Sequence, residues 1–464
     1  LSSSSAASDV YKRQASHAGF FQESGVLRLS GVSMWRGGVN GYDDRPSIGV
    51  FDVGMDGKQS FLVGCVVNVS YNSGVQIRHT GGMMIRENII YSTLGSSVLA
   101  ESTGNAYLRN LALSAVTRLT YRQREKRSSI FSQTWIDYVA NFDMRGGSLG
   151  AARGNTMIGN AAAGSERIGF KMSVPPSSCG DPSWVFEDNV AHSKSSLGFG
   201  VHRSPHAKCV RVVRLTLYRI WTMAVFGSTT YDSITFIDLR VADFKAGMHW
   251  QAAGPRLASP AKRVVVQGAL FLGRSLSNGD CSDECLASGA SVEQCIGRPS
   301  KVDKWAWEAT ATQSALYLFG QERGIALGIP VGLPWHSAGN GYPGLSGDFR
   351  IVDTTFARFI ESKCGVTSRV LASSCSAEVQ APMFFERLKL IDVNRSTLIG
   401  FCNPRRGWIQ ISDCVTMDCD GPKFSLLHDL DGSLTGGGSN SSVMSEAEFM
   451  NEFRADGVTP TGYN

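Results

Sequence analysis

The residues of this chain best suited to chemistry include a pair in the stretch GVQIRHTGGMMIRENIIY (74–91). Arg78 and His79 stand side by side between apolar residues that alternate, Val75 and Ile77, then Met83, Ile85 and Ile89. An imidazole moves protons or holds a metal near neutral pH. A guanidinium grips a carboxylate through paired hydrogen bonds. A strand with a polar outer face would carry the same pair with no chemistry attached, and that reading is preferred. A second group is acidic. Asp418, Asp420, Asp429 and Asp431 form two Asp-x-Asp-Gly units. Alternate carboxylates share one side of a strand, and glycine permits the tight turn of a calcium loop, so calcium is the cofactor this motif raises. Asp-Gly is also a common turn dipeptide whose carboxylate bonds its own backbone, which is the reading preferred here. Trp305 and Trp307 alternate as a third group, suited either to stacking on a sugar ring or to covering a hydrophobic loop cluster.

The elements that would have to position these side chains read as short strands. Val26–Met34, Phe61–Val69, Asn105–Leu113, Asn155–Ala163 and Ser183–Ala191 alternate apolar and polar residues between Gly, Asn and Ser boundaries. Helical periodicity is rare. Asn88 and Asn110 sit in matching settings 22 residues apart, and Asn160 and Asn189 follow 29 apart. Leu215–Trp221 and Ile237–Asp243 superpose at an interval of about one such repeat, as do Leu388–Val393 and Ile409–Cys414. A period of 20–30 residues made of strands alone marks a β-solenoid. The expected fold is therefore all-β, a right-handed parallel β-helix. Ile77, Ile85, Leu108, Met157, Phe186 and Leu217 are expected to face inward, and the Asn residues to stack at turns, where Asn tolerates left-handed backbone.

The expected organisation has three parts. Residues 1–14 read as a sequencing-adapter scar outside the fold. Residues 15–440 form the β-helix, broken by a loop-rich, cysteine-containing excursion at 273–346. Residues 441–464 hold a linker and a short helix with a capping box from Ser445 to Glu448, after which the chain is read as cut short. Composition agrees with an all-β chain: charged residues are only 18% and glycines number 51 of 464. A formal charge of +5 is too mild to imply nucleic acid. No apolar run is long enough for a membrane span. Eleven cysteines without a CxxC pair suit disulfides in a secreted or luminal protein. Sequons occur at Asn68, Asn394 and Asn440, a number near chance.

Asn155–Met172, Trp184–His202, Asp348–Phe359 and Met417–Gly436, in that order, resemble the parallel β-helix region of the fibrocystins, the fibrocystin-like proteins and the cell-migration-inducing and transmembrane hyaluronidases. The likeness implies an extracellular or cell-surface module of a larger protein. Some members of the family degrade hyaluronan with calcium, while fibrocystin itself is regarded as receptor-like. The family stretch matching 74–91 usually carries two histidines in an Ile-His-Gly-Thr-His pattern. Here Arg78 and Gly81 replace them, and His79 falls where the family has Gly. Two further family histidines become Gly49 and Phe51, and another becomes Ser96, whereas Glu101 is kept.

The resemblance thus implies a retained scaffold that has lost its histidine constellation. The first expectation is a non-catalytic module that recognises an acidic polysaccharide or a cell-surface protein, with Arg45, Arg78, His79, Glu101, Trp305 and Trp307 as ligand-binding candidates. The alternative is a polysaccharide hydrolase or lyase with a rebuilt site, in which Glu101 and His79 are the catalytic candidates. Carboxylates and basic residues converging in one groove would favour the alternative.

Overall fold

The computed structural model describes residues 20–22, 26–40, 44–54, 59–102, 104–116, 139–145, 155–173, 185–194, 197–202, 209–229, 233–252, 263–273, 312–318, 348–359, 367–373, 383–395, 398–400, 427–436 and 441–443. The cysteines from Cys281 to Cys419, the Ile409–Cys414 repeat and the helix expected after Ser445 lie outside them, as do residues 1–14. Among the described residues no helix is long and apolar enough to cross a membrane.

The fold is a right-handed parallel β-helix whose residues fall into two compact units, one reaching Phe226 and one from Gly227 onward. In the first unit each turn contributes three strands. Phe61–Val63, Val66–Ser70 and Val75–Thr80 make one rung, and Met84–Arg86, Ile89–Leu94 and Val98–Glu101 the next. Each strand pairs in parallel with its counterpart one rung on: Leu62 with Ile85, Val67 with Ile90, Val75 with Val98. The strands thus stack into three ladders, called first, second and third by their order within a rung. Ala106–Leu108, Leu111–Val116 and Ala140–Arg145 continue them. Thr156–Ile158, Ala161–Ala163 and Ile168–Ser173 follow, and then Val185–Glu187, Val190–Lys194 and Leu197–His202.

Alternation sends one side chain in two to the interior. Leu62, Ile85, Tyr107, Met157 and Phe186 line the core from the first ladder, and Phe142, Phe170 and Phe199 from the third. Phe142 stacks on Phe170 at 5.1 Å, and Phe186 meets Phe170 and Phe199 edge-on at 5.4 and 5.3 Å. Ile77, Ile85, Met157, Phe186 and Leu217 are buried as expected. Leu108 is not. Tyr107 takes the inward place and Leu108 is only half-buried, a slip of one residue that exchanges the two faces of a strand.

Asn88, Asn110, Asn160 and Asn189 form a buried column where the first ladder turns into the second. Each amide donates to the next Oδ1 along the axis, at 2.9 Å from Asn88 to Asn110, 2.9 Å from Asn110 to Asn160 and 3.0 Å from Asn160 to Asn189. The same oxygens accept backbone N–H groups that the turn would strand. The left-handed backbone expected of these asparagines belongs instead to the residue before each: Glu87 (φ 57°), Arg109 (52°), Gly159 (67°) and Asp188 (55°). The exposed side chains of that neighbouring column pair by charge. Arg109 bonds Glu87 at 2.5 Å, and Arg214 bonds Asp188 at 2.6 Å. The turn residues Arg214 and Asp238 are both left-handed, so the repeat there is longer by two than Leu215–Trp221 laid on Ile237–Asp243 implies.

The second unit uses the same three-strand turn. Arg263–Gln267, Leu270–Leu272 and Thr312–Leu318 make a rung, followed by Asp348–Val352, Thr355–Phe359 and Thr367–Ser373. Thr312–Leu318 falls inside the expected excursion, yet it pairs with Thr367–Ser373 as a third-ladder strand. Met383–Glu386, Lys389–Val393 and Ile399–Gly400 follow, and then Leu427–Asp429. The asparagine position is occupied here by Leu239, Ala269, Thr354 and Leu388, so dispersion replaces amide bonding except at Thr354, whose hydroxyl donates to Val352 O at 3.0 Å. Phe271 stacks on Phe356 at 5.4 Å in this core. Leu427–Asp429 pairs with Met383–Phe385 in parallel on one side and with Ser441–Val443 in antiparallel on the other.

Candidate functional site

The outer face of the third ladder in the first unit gathers charge. Strand pairing places Phe51, Arg78, Glu101 and Arg145 in one outward column. The neighbouring column holds Gly49, Gln76, Leu99, Asp143 and Lys171. Of the five positions that the resemblance associates with histidine, Gly49, Phe51, Arg78 and Ser96 fall on or next to this face, and Gly81 directly follows strand Val75–Thr80.

The charges are joined end to end. Arg78 Nε lies 3.4 Å from Glu101 Oε2, and its guanidinium sits 4.9 Å from the Phe51 ring centre. Arg145 Nη1 donates to Glu101 Oε1 at 3.3 Å, while its Nε and Nη2 donate to Asp143 Oδ2 at 3.1 and 2.9 Å. Lys171 Nζ donates to the same Oδ2 at 3.1 Å, and Ser96 Oγ lies 3.4 Å from it. Asp143 and Lys171 are fully buried although both point away from the core, while Arg78, Glu101 and Arg145 are about 30% exposed. Burial works against the charge of Arg145, but Asp143 and Glu101 outweigh it and hold the guanidinium above its ordinary range. Asp143 Oδ1 and Gln76 Oε1 are buried acceptors without a hydrogen-bond partner among the described residues.

Of the expected ligand-binding residues, the structure joins Arg78 and Glu101 directly. His79 turns elsewhere: it is left-handed (φ 46°), and its Nδ1 contacts Asp52 Oδ1 at 2.7 Å, the imidazole half-buried and the carboxylate exposed. Arg45 is exposed ahead of strand Ile48–Gly54, and its carbonyl accepts from Val39 N–H at 2.9 Å. Trp305, Trp307, Asp418 and Asp420 lie outside the described residues. Asp429 and Asp431 are committed to turns. Asp429 accepts from Leu434 N–H and from the Thr435 N–H and hydroxyl at 3.3, 2.8 and 2.7 Å. Asp431 accepts from Ser433 N–H and hydroxyl and from Arg387 N–H at 3.1, 2.6 and 2.8 Å. Burial would raise the Asp431 carboxyl, but these donors outweigh it and hold it below the ordinary range. Among the described residues no three His, Cys, Asp or Glu converge as a metal site.

Sequence reasoning missed Gln76, Asp143, Arg145 and Lys171. The signal was present in ANFDMR (140–145), where Asn141, Asp143 and Arg145 alternate with Ala140, Phe142 and Met144. Their convergence with Glu101 depends on a rung register that spans more than forty residues.

The charged line lies within residues 17–200, which match the CEMIP β-helix family model. Fibrocystin-type proteins are similar to the chain over most of its length. Human Fibrocystin-L is 24% identical over 447 residues, covering 92% of this chain and 10% of that protein. Mouse Fibrocystin-L is 24% identical over 437 residues with the same coverage, and dog Fibrocystin 22% over 452 residues, covering 93% of this chain and 10% of its own length. The chain thus spans about a tenth of the curated relatives it matches. An Acinetobacter phage tailspike aligns at a TM-score of 0.24 and 9% identity, covering 91% of this chain and 60% of its own; the fold rests on the ladders themselves.

Proposed function

We propose that this chain is an extracellular or cell-surface recognition module of a fibrocystin-like protein, and that the outer face of its third ladder binds an acidic polysaccharide. The observation that carries this reading is the line Arg78–Glu101–Arg145–Asp143–Lys171, three cations against two carboxylates on one sheet face. A guanidinium already poised over an aromatic ring suits a uronate, whose carboxylate takes the fork of the guanidinium while the sugar ring lies on the Phe51 side. The family relatives support the cell-surface setting.

A degrading enzyme is the second reading, favoured by the two carboxylates that meet one guanidinium at Arg145. Glycoside hydrolysis needs one carboxyl held in its acid form. Both carboxylates are already engaged by cations, and the residues that replace the family histidines, Gly49 and Phe51 among them, cannot shuttle protons.

One experiment separates the two. The chain is incubated with hyaluronan and other uronic-acid glycans, with calcium and with chelator. Retention on immobilised glycan and chain length are both read. The expected outcome is salt-sensitive retention with no shortening, weakened about tenfold or more by Arg78→Gln, as loss of a charge-assisted bond implies. Shortened chains that disappear with Glu101→Ala would establish the enzyme instead.

A further inference from the structure

The second ladder of the first unit carries an outward column that the charged line does not explain. Trp35, Asn68 and Tyr91 are register partners on three successive rungs. Trp35 is 64% exposed and Tyr91 45%, and Ile89 beside Tyr91 is 42% exposed. Large apolar side chains this open two rungs apart leave a water-facing strip that a stable fold would be expected to cover. Between the two rings stands Asn68, a residue type that strands disfavour. The buried asparagines of this unit at positions 72, 88, 105, 110, 141, 155, 160 and 189 all spend their amides on hydrogen bonds. Asn68 is half-buried, and among the described residues its carboxamide has no hydrogen-bond partner. It also opens the sequon Asn68-Val69-Ser70.

We propose that Asn68 carries an N-linked glycan whose first sugars lie over the Trp35 and Tyr91 rings and cover this strip. In the transfer, Asn68 Nδ2 forms a bond to C1 of a lipid-linked diphospho-oligosaccharide. The bond from C1 to the diphosphate oxygen breaks, the lipid diphosphate leaves with the electron pair, and the amide gives up one proton. The reaction takes place on the unfolded chain, so the later burial of Ser70, whose hydroxyl donates to Ser73 O at 3.0 Å in the folded corner, does not oppose it. Rung spacing sets the fit. Partners two rungs apart in a ladder are separated by about 9.6 Å, so a saccharide rooted at the middle rung reaches a ring on either side. The axial C–H groups of a pyranose supply the apolar face that stacks on an aromatic ring.

The inference rests on the secretory setting proposed above, but its test does not. The chain is fused to a secretion leader and expressed in animal cells, and localisation of the full-length protein tests the setting separately. Peptide mapping after enzymatic deglycosylation in heavy-oxygen water reads occupancy at each sequon. Asn68 is expected to be occupied, and Asn68→Gln to lose that one glycan and melt about 2 °C lower. Trp35→Ala with Tyr91→Ala is expected to keep the glycan but release it several-fold faster to an amidase acting on the folded protein. A secreted, folded chain with Asn68 bare would overturn the proposal. Unchanged release from the double variant would overturn the stacking, leaving the rings to some other occupant.

Discussion

Asn110 shows how much one side chain does in a solenoid. Its Oδ1 accepts from both the backbone and the side chain of Asn88, and its Nδ2 donates to Ile85 O and to Asn160. Replacing it by alanine strands a buried N–H and breaks the amide column in the middle. Each buried donor left unmade costs about 1–3 kcal/mol. Asn110→Ala is therefore expected to lower the urea midpoint of the first unit and to speed exchange of the Asn88 amide proton. Leu239 and Leu388, which occupy the same turn position in the second unit, show the alternative solution in which no amide is present to lose. The asparagine column was legible in the sequence because its spacing repeats. The charged line was not: Glu101 and Arg145 are 44 residues apart, and their partnership depends on how many residues leave the rung between them.

At the scale of the strand, a stacked ring pair links stability to pH. His192 and Tyr218 lie on adjacent rungs of the second ladder with centroids 4.6 Å apart and planes 8° from parallel. Partial burial pushes the imidazole below its ordinary range, and the charges of Lys194 and Arg219 push it the same way. A base lowered by folding binds its proton more readily in the unfolded chain. Stability then falls as pH drops through the unfolded value near 6.5. The melting temperature is expected to decline between pH 7 and pH 5, and His192→Phe, which keeps the stack and removes the titration, to flatten that decline. Lys194 belongs to the same strand and is fully buried, with Asn141 Oδ1 accepting from its Nζ. Burial depresses the amine well below the ordinary lysine range. Strand identity was readable from alternation, but the register of Ala106–Leu108 was not, because Tyr107 and Leu108 are both apolar enough to face inward.

At the scale of the molecule, parallel stacking asks little of any single sequence position. Each rung asks for inward bulk, a left-handed turn residue and a polar or apolar filler beside it, and Glu87, Arg109, Gly159 and Asp188 meet the turn requirement with four different residue types or charges. The repeat was therefore visible in composition and spacing, while function, which depends on what the outward positions carry, had to await the register.

The antiparallel strand Ser441–Val443 has a consequence for the edge of the first ladder. A stack of parallel rungs is a template at its last rung, because the row of N–H and C=O groups facing outward can receive another strand from any chain in the same register. Leu427–Asp429 would offer such a row, but Ser441–Val443 doubles back on it with the chain direction reversed. The reversed strand occupies that row, so a further copy of the parallel repeat cannot propagate through it. Deleting residues 441–443 is expected to open the edge of Leu427–Asp429 to other strands, seen as concentration-dependent assembly in light scattering that a synthetic peptide of the missing strand suppresses.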